Sequence, residues 1–337
     1  MNFKSVLNAV FVLLLLGCSK EPQHTELHIS GATMGTQYNI KFPENEDIDV
    51  EVFKADVTKR LFEINKLMST YDPESELSRL NQYRYTKPFP ISEETALVLE
   101  EAIRLGELSD GVLDVTVGPL VNLWGFGPTK RPETIPTDEA VKQIREYVGL
   151  DKFRLSGNSV TKLHSLLYID LSTIAKGYAV DELARLLEQA NVTNYLVEIG
   201  GEMRVSGKKS SGKAWSIAVE KPITQGRAVQ RIISIGNNAI ATSGDYRNYY
   251  EEDGVRYSHL INPKTGKPIQ HNTVSVAVVH PSSMVADGLA TAFNVMGVEK
   301  ALALANENDI AALVIVKNGD KFEELTSSTF DDVVETY

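Results

Sequence analysis

An aspartate and a threonine four positions apart, Asp287 and Thr291, form the sharpest chemical pattern in this 337-residue chain. On a helix this spacing places both side-chain oxygens on one face. A carboxylate and a hydroxyl are hard oxygen ligands that suit Mg²⁺, with waters or substrate phosphates completing its octahedron. The alternative is that Asp287 only complements the helix dipole while Thr291 bonds a preceding carbonyl.

A second polar segment, residues 170–178, follows a short apolar run and precedes a helical pattern. A strand that ends in a polar turn before a helix aims backbone N–H groups and the positive end of the helix dipole at an anion. Lys176 adds a point charge for a phosphate, or for a ribose and base edge. The alternative is an ordinary strand-to-helix connection that Asp170 caps, with Lys176 in solvent.

His259 lies just before a turn built from Asn-Pro and Thr-Gly pairs, and residues 243–247 supply a further polar segment. A histidine in that position can reach a cleft and accept a proton near neutral pH. A purely structural histidine is the alternative.

Glycines flank Trp124 and Phe126 within residues 111–127. Such glycines, Gly125 among them, let the backbone approach a flat ligand while an aromatic ring stacks on it. The alternative is a well-packed core segment. Residues 198–202 indicate a tight turn at a strand end, without chemistry of its own. The sequence has no Cys/His metal cluster, nucleophile elbow, Walker loop or dinucleotide-binding glycine fingerprint, which disfavours hydrolase, P-loop and Rossmann classes.

The elements that must position these residues follow from hydrophobic periodicity. Alternation predicts a strand pair, residues 27–30 and 37–42, around a Gly-rich turn. Helical spacing predicts helices at residues 50–68, 92–109, 178–190 and 286–296, and a helix that begins at 137–139. Further strands are predicted at residues 166–171, 195–199, 215–219, 229–235, 239–243 and 274–279. Because strands and helices follow no regular βαβ rhythm, we expect a single compact α+β body.

Composition excludes several classes of protein. Hydrophobic residues make up 42% and charged residues 23% of the chain, which excludes a largely disordered protein. Lys and Arg number 34 against 45 Asp and Glu, a net charge of −11, which argues against a nucleic-acid partner bound through bulk charge. The only cysteine is Cys18, so no internal disulfide can form.

The first 17 residues read as a targeting signal. Lys4 precedes an apolar run, residues 6–16, that is shorter than the roughly 20 residues needed to span a bilayer. Leu-Leu-Gly-Cys at 15–18 resembles a bacterial lipobox, which implies a signal peptide at 1–17, lipidation of Cys18, a tether at 18–25 and a body at 26–337. A plain signal peptide is the alternative. With Ser19 after the cysteine, the resemblance favours the outer over the inner membrane, and we expect the body to face the periplasm.

Taken in order along the chain, these segments resemble the ApbE family of FAD:protein FMN transferases. The resemblance runs from about residue 29 to near the C-terminus and is carried by residues 33–36, 68–71, 114–120, 170–178, 198–202, 259–266 and 286–292. It implies a T-fold-related body with mixed or antiparallel sheets and flanking helices. It also implies a Mg²⁺-dependent transfer of the FMN half of FAD to a threonine or serine hydroxyl of an acceptor flavoprotein, with release of AMP. The implied acceptors are subunits of membrane redox pumps, such as the sodium-translocating NADH:quinone reductase and Rnf-type complexes.

The same resemblance assigns site residues. Asp287 and Thr291 match the side-chain metal ligands, and the turn at Thr173 matches a backbone carbonyl ligand. His259 matches a histidine implicated in catalysis, and we expect it to take the proton of the acceptor hydroxyl; Asp287 is expected to be essential for catalysis as well. The residues expected to line the FAD site are Met34, Tyr71, Trp124, Gly125, Phe126, Asp170, Lys176 and Leu260.

Two other functions stay open on the sequence alone. One is an FAD pyrophosphatase that uses water as the nucleophile, since one metal clamp serves both reactions. The other is a lipoprotein that stores or delivers flavin. The Asp287/Thr291 pair argues against a carrier, because a carrier needs no metal at the pyrophosphate.

Overall fold

The structure, a computed structural model, describes residues 25–337 apart from residues 46, 128–133, 224–225, 227, 247 and 320. The predicted signal peptide, Cys18 and the tether up to residue 24 lie outside the described residues. In this part of the chain, none of the helices combines the length and the apolar character that crossing a membrane requires.

The described residues form short and long helices linked by many strands. The helices are α1 (Val50–Met68), α2 (Glu76–Gln82), α3 (Glu93–Leu108), α4 (Gly118–Leu123), α5 (Asp138–Arg145), α6 (Ala175–Gln189), α7 (Ser283–Met296), α8 (Val298–Glu307) and α9 (Phe330–Val333). The strands are β1 (Glu26–Thr33), β2 (Thr36–Pro43), β3 (Pro88–Pro90), β4 (Phe153–Leu155), β5 (Ser159–Lys162), β6 (Tyr195–Ile199), β7 (Glu202–Ser206), β8 (Ile217–Glu220), β9 (Val229–Ser234), β10 (Ala239–Gly244), β11 (Tyr249–Glu252), β12 (Val255–Ser258), β13 (Ile261–Asn262), β14 (Lys267–Pro268), β15 (Thr273–His280), β16 (Ala311–Asn318), β17 (Lys321–Thr326) and β18 (Glu335–Thr336).

An eight-stranded antiparallel sheet forms the centre of the molecule, in the order β1-β2-β6-β7-β10-β15-β16-β17. Alternation along β2 buries Tyr38, Ile40 and Phe42 on one face and turns the intervening residues to the other. The turn between β1 and β2 consists of Met34 and Gly35, both with positive φ. The sheet therefore has one face that packs on helices and one more polar face.

Helices α1, α6 and α7 cover the buried face of the sheet. The side chain of Asp49 caps α1 by accepting bonds from two first-turn N–H groups, and apolar residues three or four positions apart face the core. The hydroxyl of Ser282 caps α7 by accepting the N–H of Val285, and Gly297, at φ 80°, ends the helix. Sequence-local signals thus set both ends of α7, the helix that carries Asp287.

A smaller sheet covers part of the other face. Its order is β18-β9-β8, and Trp215, Ile217 and Phe330 pack between it and the central sheet. A third cluster gathers Leu120 and Trp124 around α4 with α5 and the start of β13.

Most predicted elements are confirmed, including the first hairpin, α1, α3, the start of α5, α6, α7 and the strands at β6, β8, β9, β10 and β15. The predicted strand at residues 166–171 is wrong. Leu167, Ile169 and Leu171 are buried, but Ile169 exchanges hydrogen bonds of 2.8 Å with the side-chain amide of Asn81, and the N–H of Asp170 donates to the carbonyl of Val115 at 2.7 Å. A side chain and a loop take the bonds that a neighbouring strand would make, so the segment pairs with no sheet of the described residues.

Candidate active site

Three charged side chains meet where the first turn of α6 crosses α7. Nζ of Lys176, in α6, lies 3.0 Å from Oε1 of Glu202 and 3.5 Å from Oδ1 of Asp287. Oδ2 of Asp287 accepts a hydrogen bond of 3.0 Å from the backbone N–H of Gly177. The first N–H groups of a helix have no partner inside it, so Asp287 satisfies α6 from a neighbouring helix.

A glycine makes this close helix crossing possible. A Cβ atom at Gly177 would lie 2.3 Å from the carbonyl oxygen of Ser283 and 2.8 Å from Cβ of Asp287, closer than real Cβ contacts come. Asp287 therefore reaches α6 because residue 177 has no side chain. Thr291, one turn further along α7, lies on the same face as Asp287 and is partly exposed.

Burial and mutual attraction shift the pKa values of all three charged groups. Burial raises the pKa of Asp287, although the positive charge of Lys176 opposes the shift. Burial also raises the pKa of Glu202, and the positive charge of Lys176, 3.0 Å away, opposes the shift. For Lys176 burial alone would lower the pKa, but the two carboxylates outweigh it and raise the pKa, so the ammonium stays protonated.

The oxygen donors around Asp287 fit a hard divalent cation. Asp287 contributes a carboxylate and Thr291 a hydroxyl, and the buried Oγ1 of Thr173, in the turn before α6, has no hydrogen-bond partner among the described residues. No group of three His, Cys, Asp or Glu side chains in the described residues forms a metal site. A cation held here would therefore complete its shell with hydroxyl, backbone, water or substrate oxygens.

His259 is held in one orientation directly after β12. Its Nδ1 lies 3.0 Å from the carbonyl oxygen of Asn248, which also accepts the backbone N–H of His259 at 3.2 Å. A carbonyl only accepts, so we assign the ring proton to Nδ1 and leave Nε2 as the basic nitrogen. Burial lowers the pKa of His259, with the bond to Asn248 opposing, so the ring is neutral at pH 7.

Four aromatic rings stack in a row beside this histidine. Trp124 stacks on Tyr257 with ring centroids 5.7 Å apart, and Tyr257 stacks on Tyr250 at 5.1 Å. Tyr250 stacks on Phe126 at 5.3 Å, and Phe126 meets His259 edge-on at 6.3 Å. The β11–β12 hairpin thus packs on the end of α4 and fixes the position of His259.

The ring of Trp124 belongs to the core. Trp124 is 3% exposed, and its Nε1 donates to the carbonyl of Gly266 at 2.8 Å. The ring therefore packs in the core, and Trp124 stays a predicted residue of the flavin site. Phe126 is partly exposed and Gly125 has φ 80°, and both stay predicted flavin contacts.

The first predicted FAD residues lie around the β1–β2 turn. Met34 has φ 48° in that turn, and the side chain of Asn65 in α1 donates to Oγ1 of Thr33 at 3.1 Å. This bond holds the turn against the end of α1, from which the chain leads directly to Tyr71. Tyr71 is 74% exposed, so its ring is accessible.

Asp170 lies against the start of α4, the helix that leads to the aromatic row. Its Oδ1 accepts the N–H of Ser172 at 2.9 Å, and a Cβ atom at Gly118 would be only 3.5 Å from Cβ of Asp170. Helix α4 thus starts against Asp170 and ends at Trp124. At the other side, Leu260 packs with Val295 of α7, the helix that also carries Asp287.

A cavity of about 1010 Å³ lies on the opposite face of the central sheet, between the polar side chains of β2 and β6 and the strand β8. None of the predicted FAD residues is among the described residues that line it. Gly200 and Gly201, directly before Glu202, line one end of the cavity. The three charged residues of the cluster, Lys176, Glu202 and Asp287, are not among the described residues that line it.

The prediction from residues 198–202 missed Glu202. The pattern indicated a turn without chemistry, and Gly200 and Gly201 do form that turn, both with positive φ. Glu202 then begins β7, is buried, and its carboxylate is bound to Lys176. The sequence shows only a glutamate directly after two glycines. Local spacing does not predict its partner, Lys176, which lies 26 positions earlier in the chain.

The chain matches the model of the ApbE family over residues 34–314. It is 51% identical over 320 residues to an FAD:protein FMN transferase of Vibrio cholerae, which covers 95% of each chain. It is 46% identical to an FAD:protein FMN transferase of Haemophilus influenzae, over 98% of this chain and 97% of the relative. The solved flavin transferase ApbE from Vibrio cholerae superposes with a TM-score of 0.86 at 49% identity, covering 92% of this chain and 99% of that one. The apo form of Pseudomonas stutzeri flavinyl transferase ApbE gives a TM-score of 0.85 at 37% identity, covering 92% and 97%.

Proposed function

This chain belongs to the ApbE family, and we propose that it transfers the FMN half of FAD to a threonine or serine hydroxyl of an acceptor flavoprotein and releases AMP. It is an enzyme, an FAD:protein FMN transferase like its curated relatives. The observation that carries the proposal is the match to these transferases over nearly the whole chain. The charged cluster at the start of α6 adds a physical reason, because its carboxylates can hold a divalent cation beside the positive end of the α6 dipole, where a phosphate could then bind.

We propose Mg²⁺ as the cation at this cluster, held by Asp287, Thr291 and the carbonyl of Thr173. When bound, Mg²⁺ would neutralise the negative charge of the FAD pyrophosphate. Lys176 supplies a further positive charge beside the same place, and the N-terminus of α6 adds its dipole. FAD would extend from there along Asp170 towards the turn that carries Met34.

The transfer forms one bond and breaks one bond at phosphorus. The acceptor oxygen bonds to the FMN-side phosphorus as the link from that phosphorus to the bridging oxygen breaks, and AMP leaves with the bridging oxygen. The hydroxyl proton passes to Nε2 of His259, directly or through one water. His259 suits this role because its ring is neutral at pH 7 and its Nδ1 is tied to a backbone carbonyl.

The acceptors and the location are also part of the proposal. We propose acceptors among the subunits of membrane redox pumps, the sodium-translocating NADH:quinone reductase and Rnf-type complexes. We also propose that a lipid on Cys18 anchors the protein in the bacterial envelope, facing the periplasm, with the outer membrane favoured. The lipobox-like residues 15–18 support the anchor, and Ser19 supports the sorting.

An AMP-release assay tests the reaction. The purified protein is incubated with FAD and Mg²⁺, with or without an acceptor domain, and AMP, FMN and FAD are separated by chromatography. The proposal predicts fast AMP release that requires the acceptor and leaves no free FMN. Equal release of AMP and free FMN without acceptor would establish a pyrophosphatase, and intact FAD under all conditions would establish a carrier. The Asp287→Asn variant is the control for release that does not depend on this site.

A further inference from the structure

Lys176 sits between two buried carboxylates that can each neutralise it. Its side chain keeps 28% exposure, whereas the side chains of Glu202 and Asp287 keep 4% and 6%. The contact to Glu202, 3.0 Å, is shorter than the contact to Asp287, 3.5 Å. Oε2 of Glu202 is buried and has no hydrogen-bond partner among the described residues. Glu202 therefore has capacity to accept the ammonium more fully than it does now.

A divalent cation and the Lys176 ammonium compete for the same oxygen. Oδ2 of Asp287 is already bonded to the N–H of Gly177, which leaves Oδ1, the atom that faces Lys176. Like charges a few ångströms apart at a buried site repel strongly. Lysine carries its charge on a flexible four-carbon stem, so the ammonium can turn from Asp287 to Glu202 without a change in the backbone.

We propose that Lys176 is an internal counter-ion for Asp287 that keeps the affinity for a divalent cation low until a pyrophosphate is bound, and that Glu202 is the positioning residue that receives the ammonium when the cation enters. The proposal rests on the proposed function only for the identity of the anion. The two negative charges of the FAD pyrophosphate would attract both the divalent cation and the ammonium, and so reduce the repulsion between them. Metal and FAD would then strengthen each other's binding, and by linkage the effect is equal in both directions.

Manganese binding to the FAD-free protein tests the counter-ion directly. Mn²⁺ serves as the probe, and the signal of free Mn²⁺ in electron paramagnetic resonance gives its dissociation constant for the full chain without any turnover. Lys176→Met removes the charge at similar length, and we expect the dissociation constant for Mn²⁺ to fall by about 10-fold or more. Lys176→Arg keeps the charge and should stay within a few-fold of the wild type.

Glu202→Gln provides the opposite result. Without the second carboxylate the ammonium stays with Asp287, and a negative charge near the cation is lost, so Mn²⁺ should bind more weakly. A merely structural role for both residues would weaken binding in both variants. A folded Lys176→Met that binds Mn²⁺ no more tightly than the wild type overturns the proposal. If Lys176→Met does not fold, by circular dichroism and thermal unfolding, Lys176→Gln takes its place as the neutral variant, and Mn²⁺ binding no tighter than in the wild type then overturns the proposal.

Repeating the titration with saturating FAD and no acceptor tests the coupling. FAD should tighten Mn²⁺ binding in the wild type, and the tightening should shrink in Lys176→Met; an equal tightening in both contradicts the proposal. The failure of the proposed function is a separate result. If the acceptor is never modified but the Mn²⁺ titrations give the expected results, the proposed transfer reaction is refuted and the counter-ion role of Lys176 is not.

Discussion

The crossing of α6 and α7 at Gly177 predicts that a single methyl group will disable the site. In Gly177→Ala the new Cβ atom would lie 2.3 Å from the carbonyl oxygen of Ser283, whereas ordinary contacts begin near 3.4 Å, so the two helices must separate by about 1 Å. The 3.0 Å hydrogen bond from the N–H of Gly177 to Asp287 would then stretch beyond hydrogen-bond range. Overpacking of this kind costs about 1–3 kcal/mol of stability, partly offset by the higher helix propensity of alanine.

The activity should fall by more than the stability loss suggests. A displacement of about 1 Å at a reacting centre reduces a rate by roughly 10²-fold, and we expect that loss in the rate of FMN transfer at saturating FAD. Thermal unfolding, measured on the same samples, should show that Gly177→Ala is still folded at the assay temperature.

Gly288→Ala, in the partner helix α7, is the matched control. Its Cβ atom would lie 2.6 Å from Cδ1 of Leu105, the far end of a flexible side chain that can move aside. We expect some loss of stability and little loss of rate. A wild-type rate in Gly177→Ala, or an equal loss in Gly288→Ala, would refute the reasoning about the helix crossing.

Three further predictions concern single side chains. Asp287→Asn should reduce both Mn²⁺ affinity and FMN transfer by roughly 10²-fold or more, because a neutral amide is a poor ligand for a hard cation; titration and rate are measured on the same variant. His259→Gln should slow transfer by roughly 10²–10⁴-fold while FAD binding, followed by flavin fluorescence, is kept. Burial lowers the pKa of His259, so its ring is neutral at pH 7. The wild-type rate should therefore decline only at pH values below about 6.5, where the ring takes up a proton. If the pH–rate profile of His259→Gln keeps this decline, His259 is not the base. Arg60→Met should lower the free energy of unfolding by about 1–3 kcal/mol, because it leaves the carboxylates of Glu94 and Glu182 without their shared guanidinium. The rate of transfer should not change. Denaturant unfolding measures the stability, and an unchanged midpoint would contradict the prediction.

Sequence reasoning succeeded where the determining signal is local. The pairing of Asp287 with Thr291 on one helix face follows from the 3.6-residue period. The predicted helix, residues 286–296, has the observed end but lacks the first residues of α7, which begins at Ser283. The first hairpin follows in the same way from alternation around Met34 and Gly35. Each of these features is determined by residues a few positions apart, so the sequence predicts it directly.

It failed where the partner is remote in sequence. Glu202 joins the site because β7 lies under α6, which the residues near Glu202 do not specify. Residues 166–171 are apolar enough for a strand, but the side chain of Asn81 takes the backbone bonds. Tertiary contacts decided both.

Mass analysis of an acceptor domain is the most direct measurement of the central claim. The acceptor is incubated with the protein, FAD and Mg²⁺, and its intact mass and peptides are then determined. The account predicts a gain of one FMN on a single threonine or serine, matched by one AMP released, and no gain with Asp287→Asn. An acceptor of unchanged mass, in a reaction where FAD has been cleaved to free FMN and AMP, would contradict it.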